Sequence, residues 1–344
     1  MRLLGIGFSC LLLALISSPL LAQSETKNAQ ASIVFDLRVE KITDSPLGKA
    51  LDLKGKMEAI PRAEDDDGPD MSKLVRVFGA STGPESVEEL ESMQQGDLPV
   101  EFFVRFQFKD ADGAKSMLKA AVDKNDGTVE RDGKTYYKAP ASQGVPEGVM
   151  MYAVDDKTVE VGTEGFVFRS NAKPFTDTLN QAWSKVSDDA VRFAVDMDTN
   201  KELVEDMISK AEEQAGGNPM ASEMLSVFKK MKSMSLTMDL KNKNLVTMTS
   251  TGKTESDASE IKDAMSAMMF KAKQGGKAQA KQIAQMSPDA AKAMTGLVDG
   301  MSVTMKGDNV FYNVPRPEGF EDAVSKMVEQ FGGMFGMGGM SNDF

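Results

Sequence analysis

The stretch FVRFQFKDAD at residues 103–112 and the stretch VRFAVDMDT at residues 191–199 carry the same local pattern and share Val-Arg-Phe, at 104–106 and 191–193. Each has apolar residues at every second position, which is the period of a β-strand with one buried face. Each then enters an aspartate-rich turn ahead of a helical pattern, where short acidic side chains can cap the free N–H groups of the first helical turn. Both stretches therefore predict a strand followed by a helix.

A second repeated pattern lies in the C-terminal half of the chain. The segment MSLTM at residues 234–238 reappears as MSVTM at residues 301–305, and each is followed by a turn containing Asn and a second apolar run. These are predicted hairpins with Met and aliphatic side chains on one face and hydroxyls on the other. The hydroxyl face comprises Ser235, Thr237, Thr247, Thr249, Thr251, Ser302 and Thr304. Such a face either binds a partner or polymer, or is simply solvated.

Assembled in order, the patterns predict an α+β protein with two tandem related modules, at residues 30–186 and 187–331. Their predicted elements include a hairpin at 149–155 and 158–162, a strand at 244–252 and a helix at 256–273. Each module is expected to be an antiparallel sheet with helices on one face, in the ferredoxin-like βαββαβ order. The Gly- and Met-rich segment at residues 332–344 is predicted to be a flexible tail.

The first 22 residues have the three parts of a secretory signal peptide. Arg2 supplies the positive region, residues 11–16 form a short apolar core, and Ala22 occupies the expected cleavage position. The apolar core is shorter than the roughly 20 residues that a membrane-spanning helix needs. We therefore expect an extracytoplasmic protein, periplasmic or secreted, with no membrane span after signal cleavage.

The chain is acidic, with 40 basic and 52 acidic residues and a formal net charge of −12. Phosphate backbones are bound chiefly by clustered Lys and Arg, so this composition argues against a nucleic-acid partner. One basic cluster, interpreted as a solvated helix end and linker, consists of Lys271, Lys273, Lys277 and Lys281.

Catalytic residue types are scarce. The sequence contains no histidine, and its one cysteine, Cys10, lies in the signal peptide, so the mature chain has neither a Ser–His–Asp nor a Cys–His arrangement. The serine–lysine spacing SxxK occurs in predicted helices rich in both residues, at Ser116/Lys119, Ser226/Lys229 and Ser259/Lys262. Three adjacent acid pairs are interpreted as surface charges: Asp155/Asp156, Asp188/Asp189 and Glu212/Glu213. We therefore predict no catalytic and no cofactor-binding residue, and hence no enzyme.

Two segments raise the question of a metal. The acidic loop at residues 62–71 fails the EF-hand pattern, because placing Gly68 at position 6 puts Ala63 at position 1 and Leu74 at position 12. A solvated loop is the favoured interpretation, with weak calcium binding as the alternative. In the tail, Met334, Met337 and Met340 present three thioethers, which are soft ligands suited to Cu(I). A flexible tail is favoured there, and no metal-binding residue is predicted.

The region from Phe103 to Phe168 carries a resemblance. A strand leads through KDAD at 109–112 into a helix, then come RDGKTYY at 131–137, MMYAVDD at 150–156 and TVEVGT at 158–163. This order resembles the repeats of uncharacterised secreted bacterial proteins of planctomycete type. The resemblance implies a repeated α+β domain and an export route, and it supplies no catalytic residue.

Together these observations lead to two functional hypotheses. The first is a non-catalytic exported binding or scaffold protein, whose partner is a protein or ligand that the sequence does not identify. The second is an extracytoplasmic carrier or chaperone-like protein that holds an apolar ligand or peptide in a Met-lined groove. The oligomeric state and the arrangement of the two modules do not follow from the sequence.

Overall fold

The computed structural model describes residues 30–58, 70–84, 86, 88–89, 100–123, 127–138, 148–168, 174–214, 227–285 and 287–331. Three predicted segments therefore lie wholly or largely outside the described residues: the signal peptide, the acidic loop at 62–71 and the tail at 332–344.

The described part of the chain contains twelve strands. They are β1 (Ile33–Arg38), β2 (Leu74–Ser81), β3 (Phe102–Phe108), β4 (Thr128–Arg131), β5 (Lys134–Lys138), β6 (Val149–Ala153), β7 (Thr158–Thr163), β8 (Val191–Asp196), β9 (Met231–Met238), β10 (Asn244–Gly252), β11 (Ser302–Lys306) and β12 (Asn309–Pro315).

The helices lie between the strands and after the last one. They are α1 (Val39–Thr43), α2 (Pro46–Ala50), α3 (Leu53–Glu58), α4 (Ala111–Asp123), α5 (Glu164–Val167), α6 (Asp177–Ser184), α7 (Lys201–Gln214), α8 (Glu255–Ile283), α9 (Pro288–Gly300) and α10 (Phe320–Phe331). None of these described helices has the length and apolar composition required to cross a membrane.

The strands form a single antiparallel sheet in the order β11-β12-β10-β9-β8-β1-β2-β3-β7-β6-β5-β4. The α+β class is confirmed, but the prediction of two modules with a sheet each is wrong. The reason is that β1 pairs with β8 from Ile33 to Leu37, with Phe35 opposite Phe193, so the sheet continues across the predicted boundary. The division of the chain at residue 187 into two domains stays a prediction.

The ferredoxin-like order is also wrong. That order is a split βαβ unit, in which another strand separates the two strands joined by the helix. Here β8 and β9 are joined through α7 and pair directly, and β9 then pairs with β10. The first part of the chain is built in the same way, because β1, β2 and β3 are successive neighbours.

The two sides of the β1–β8 pair have one strand order in common. Outward from β1 the strands are β2, β3, β7 and β6, and outward from β8 they are β9, β10, β12 and β11. We call these the first and second half-sheets; the hairpin β4–β5 extends the first beyond β6. The sequence repeats do not follow this correspondence. Val-Arg-Phe falls on β3 and β8, and the MSxTM pattern falls on β9 and β11, because any half-buried strand requires such alternation.

Side chains of the sheet point to two faces, and helices pack on both. We call the face with Phe35 and Phe193 the helix face, and the face with Asp36 and Arg192 the arginine face. On the helix face, α8 buries Ala258, Ile261 and Met265 against Val195 and Val310, while α4 packs near Phe108. On the arginine face, α6 buries Leu179 and Ala182 against Val34 and Ala194. The prediction of helices on one face is therefore wrong, because α6 covers the other one.

Short polar side chains begin several of these helices. The Asp110 carboxylate accepts a hydrogen bond from the backbone N–H of Gly113 at 3.0 Å, as the strand–turn–helix pattern predicts. The hydroxyls of Thr176, Thr254 and Ser287 accept bonds in the same way at the starts of α6, α8 and α9. Each satisfies one of the free N–H groups at a helix N-terminus.

Candidate functional site

The most deeply buried charge on the sheet is Asp36, in the middle of β1. Its side chain is fully buried and lies among arginines of the neighbouring strands. Arg76 donates from Nε to Oδ1 at 2.7 Å and from a terminal nitrogen to Oδ2 at 3.0 Å, and Arg192 donates from Nε to Oδ2 at 3.0 Å. Arg38 adds a longer contact of 3.4 Å from its Nε. One carboxylate thus joins side chains of β1, β2 and β8.

Strand register explains why these side chains meet. Asp36 and Arg38 are two residues apart and so point to one face. Arg192 lies directly opposite Asp36 across the β1–β8 pair, while Arg76 lies opposite Arg38 across the β1–β2 pair and so diagonal to Asp36. Four charged side chains are therefore brought onto one small area of the arginine face.

Burial acts to raise the pKa of Asp36, but hydrogen bonds from Arg76 and Arg192 and their positive charges outweigh it, so the pKa is lowered. The carboxylate therefore stays ionised at neutral pH and acts only as an acceptor. An acid held in this state positions its neighbours and is a poor proton donor.

An outer acid completes the cluster at the surface. Asp188 is exposed and accepts hydrogen bonds from Arg38 at 2.8 Å and from Lys41 at 3.0 Å. The hydrogen bond from Lys41 is the main cause that lowers the pKa of Asp188, despite some desolvation. We call Asp36, Asp188, Arg38, Arg76, Arg192 and Lys41 the central cluster.

Aromatic rings lie against two of these guanidinium groups. Arg192 sits over the Trp183 ring of α6 at 4.6 Å from the centroid, and Arg76 sits over Phe78 at 5.4 Å. A guanidinium over a ring face gains electrostatic stabilisation, more so when desolvated. Trp183 therefore fixes α6 above the central cluster.

A second buried acid, Glu160 on β7, forms a smaller network further out in the first half-sheet. Arg105 of β3 forms a salt bridge with Glu160 through its Nε. The hydroxyl of Tyr152 on β6 donates to Oε1 of Glu160 at 3.0 Å, and the ring of Tyr152 packs on Tyr136 with centroids 4.8 Å apart. Burial, followed by the Glu160 charge, raises the pKa of the Tyr152 hydroxyl, which keeps it protonated as a donor.

The hydroxyl face predicted from the hairpins is the arginine face of the second half-sheet. Register confirms the alignment, because Ser235 lies opposite Thr249 and Thr237 lies opposite Thr247. Three of the predicted residues reach solvent, and we call them the outer part of the hydroxyl face: Thr304 is exposed, and Thr247 and Ser302 are half-buried. Four of the predicted residues are buried, namely Ser235, Thr237, Thr249 and Thr251.

Lys185, just after α6, is one reason why the inner part of that face is covered. Its Nζ donates to the amide oxygen of Asn309 at 2.7 Å. Thr251 donates to the same oxygen at 3.0 Å, and Thr247 donates to the amide oxygen of Asn313 at 3.1 Å. These bonds join β10 and β12 side by side on the arginine face.

Three other candidate residues have local partners. The Ser116 hydroxyl donates to the carbonyl of Gly113 in its own helix, and Lys262 pairs with Asp263 beside it. Asp155 accepts from the N–H of Lys157 in the β6–β7 turn. Ser226, the side chains of Glu212 and Glu213, and the tail methionines Met334, Met337 and Met340 lie outside the described part of the chain.

No group of three or more acids, within the residues that the structure describes, is placed to hold a metal ion. The sequence interpretation missed both acid–arginine networks. Their signal was present, because a charged residue stands in the apolar alternation of β1, β2, β3 and β8.

Neither a protein-family model nor a curated protein matches the chain. Among solved structures, crystal form I of TP0453 is similar at a TM-score of 0.37 and 11% identity, covering 88% of this chain and 94% of that one. Crystal form III of TP0453 gives a TM-score of 0.36 and 10% identity, covering 91% and 97%. Similarity this low assigns neither a family nor a function.

Proposed function

We propose that this chain is a non-catalytic exported protein that binds a partner or serves as a scaffold. The observation that carries the proposal is the use made of its buried acids. Asp36 and Glu160 are each held by arginines from neighbouring strands. The third deeply buried acid, Asp196, accepts hydrogen bonds from the Thr176 hydroxyl and the Thr199 N–H. These acids therefore serve as structural acceptors and join neighbouring segments of the fold. A long sheet fixed in this way is a rigid surface on which a partner can dock.

Export is supported by residues 1–22 alone, through the charged start, the apolar core and Ala22. The resemblance to secreted planctomycete-type proteins is part of the same proposal. The net charge of −12 favours a partner other than nucleic acid or an anionic membrane surface.

The outer part of the hydroxyl face is the proposed contact surface for that partner. Thr247, Ser302 and Thr304 lie there with Asn313, offering hydroxyl and amide groups on adjacent strands. Groups of this kind form adaptable hydrogen bonds with another polypeptide or a polymer.

The test is native mass spectrometry of the mature protein purified gently from the exported fraction of its own cells. We expect a chain that begins at Gln23, together with a retained partner, other than a second copy of the chain, that is lost when Thr247 is replaced by Arg. A chain that keeps residues 1–22 and remains in the cytoplasm would overturn export. A partner retained equally well by the Thr247→Arg variant would overturn the assignment of the surface.

A carrier of an apolar ligand is the second candidate, and one observation favours it. On the helix face, Met197, Val204, Phe228 and Met231 line a depression of about 20 Å³, with Lys201 and Lys253 at its rim. This volume holds about one water molecule, so a ligand requires the methionine side chains to move, which their flexibility permits. A lipid mass on the purified protein that disappears in a Met231→Lys variant would favour the carrier over the scaffold.

A further inference from the structure

Strand β11 ends the second half-sheet and pairs with β12 on one side. The turn between them consists of Gly307 and Asp308, so Lys306 and Asn309 flank a two-residue hairpin loop. Gly307 has φ +59°, as the first position of a type II′ turn requires. Residues that flank such a loop bond to each other, and the direction of the backbone groups alternates along the strand. The N–H and C=O groups of Val303 and Met305 therefore point away from β12.

No strand pairs with this outer side of β11 anywhere in the described ranges. An edge strand with free backbone groups is a template for adding another strand. The opposite end of the sheet is different, because β4 is short and carries Glu130 and Arg131, and charges of this kind discourage pairing. β11 has one charge, Lys306, at its end, and Met305 is 42% exposed.

The first half-sheet shows what fits on an edge of this kind. On the helix face, residues paired across neighbouring strands form a row that runs outward from Phe35 to Met151 of β6. A matching row runs outward from Phe193 to Val303 of β11. Met151 and Val303 are each the fifth residue of their row, so they occupy matching positions. Met151 does not stand at an edge, because Tyr137 of β5 lies opposite it in an antiparallel pair. In the first half-sheet, β6 therefore pairs with a further strand, β5, on the side that corresponds to the open side of β11.

We propose that a second copy of this chain pairs with β11, strand against strand, and joins two sheets into one. An antiparallel pair centred on Thr304 puts Val303 of each chain opposite Met305 of the other. Both residues point their backbone groups outward, so this register forms hydrogen bonds rather than leaving them unmade.

The side chains are compatible with the same register. On the helix face Val303 and Met305 form an apolar cross-strand pair on each side of the twofold axis, and such pairs stabilise a sheet. On the arginine face Thr304 meets Thr304 at the axis, and Lys306 lies opposite Ser302, so no like charges face each other. A twofold contact of this type is closed, which limits the assembly to a dimer.

This inference goes beyond the proposed function, and its test measures the mass of the chain's own assemblies alone. The mature chain is run in sedimentation velocity and native mass spectrometry over a series of protein concentrations. We expect a monomer–dimer equilibrium. Replacing Thr304 by Glu or by Lys brings like charges together at the axis and raises the dimer dissociation constant by tenfold or more, at about 1.4 kcal/mol per tenfold.

Mixing the two variants provides the decisive comparison. A T304E chain and a T304K chain place opposite charges at the axis, so the mixture should form a mixed dimer that neither variant forms alone. A second variant, Met305→Pro, removes an outward N–H without removing a bond to β12, and it should also prevent dimers. Its circular dichroism spectrum and melting temperature show whether the chain has folded.

Four outcomes overturn the proposal. The unmodified chain remains monomeric at every concentration; the dimer persists in both Thr304 variants; or their mixture forms no mixed dimer. A folded monomer that instead binds a strand from another protein also overturns it, because the occupant of β11 would then not be a second copy.

Discussion

The two half-sheets share a strand order but differ on the arginine face. Outward from Asp36, β2, β3, β7 and β6 present Phe78, Arg105, Glu160 and Tyr152. At the matching positions outward from Ala194, the strands present Ser235, Thr249, Phe311 and Thr304. One half carries aromatic and charged groups where the other carries mainly hydroxyls.

The helix face is apolar in both half-sheets. Beyond Phe35 the matching row contains Gly79, Val104, Val161 and Met151, and beyond Phe193 it contains Leu236, Met248, Tyr312 and Val303. Gly79 fits because the Phe35 ring occupies the space above it, only 2.5 Å from where a Cβ would stand. The comparison shows that burial under the helices fixes this face, while the arginine face is free to acquire different chemistry.

The largest expected effect comes from removing the carboxylate at the junction of the half-sheets. Asp36→Ala leaves the guanidinium groups of Arg76 and Arg192 partly buried without their acceptor. Breaking a buried ion pair in this way costs about 3–5 kcal/mol. We expect a fall of this size in the free energy of unfolding, measured by urea titration.

Asp188→Ala is the matched control, since it removes an exposed acid from the same cluster and should cost less than about 1 kcal/mol. Equal losses for the two variants would contradict the idea that Asp36 holds the half-sheets together.

A smaller effect is expected within the first half-sheet. Glu160→Gln keeps the shape of the side chain but removes the charge that pairs with Arg105, while the Tyr152 hydroxyl retains an acceptor. The loss of a hydrogen bond to a charged group costs about 1.5–3 kcal/mol, and the partial exposure of Arg105 places this variant at the low end. Thr249→Ser is the control, because Thr249 occupies the position in the second half-sheet that matches Arg105. In urea titrations of both variants, we expect only Glu160→Gln to lower the midpoint of unfolding substantially.

We expect acid to weaken the contacts that the Asp36 carboxylate makes with Arg76 and Arg192 between the two half-sheets. Because the pKa of Asp36 is lower in the folded protein than its ordinary value of 3.8, its contribution to stability is complete above that value and is lost as the pH falls towards the folded value. The melting temperature should therefore decline below about pH 4. The decline should be shallower in an Asp36→Asn variant, and identical slopes would show that other carboxylates dominate.

The smallest effect is expected in the second half-sheet. The Ser250 hydroxyl on β10 is buried, and no partner for its Oγ lies among the described residues. Replacing it with Ala removes an unsatisfied polar atom and should be neutral or stabilising by up to about 1 kcal/mol. Ser287→Ala, which removes the cap of α9, should instead cost about 1 kcal/mol. Differential scanning calorimetry gives the melting temperatures of both variants. A lower melting temperature for Ser250→Ala as well as for Ser287→Ala would contradict this interpretation of Ser250.

Local patterns predicted the elements well. The strand predicted at residues 244–252 coincides with β10, and the hairpin predicted at 149–155 and 158–162 forms β6 and β7. Helix α8 runs ten residues beyond the predicted end at 273, through Gly275 and Gly276. A Cβ at position 276 would stand only 2.6 Å from the Val298 side chain, so the close packing of α8 against α9 requires a glycine there.

The pairing of β1 with β8 was not predictable from the sequence, because register across 156 residues leaves no local pattern. The same is true of the central cluster, since Asp36 and Arg192 read as ordinary interruptions of two separate strands. Only their meeting in the sheet shows that each neutralises the other.

The β1–β8 pair also determines when the first half-sheet loses its open edge during synthesis. A chain made from its N-terminus completes β1 early and can pair it with β2, but the other edge of β1 has no partner until residue 192 and its neighbours have been made. During that interval Asp36 has Arg76 but lacks Arg192, and an apolar strand stands open to other chains. We therefore expect a fragment that ends before β8 to aggregate more readily than the full chain.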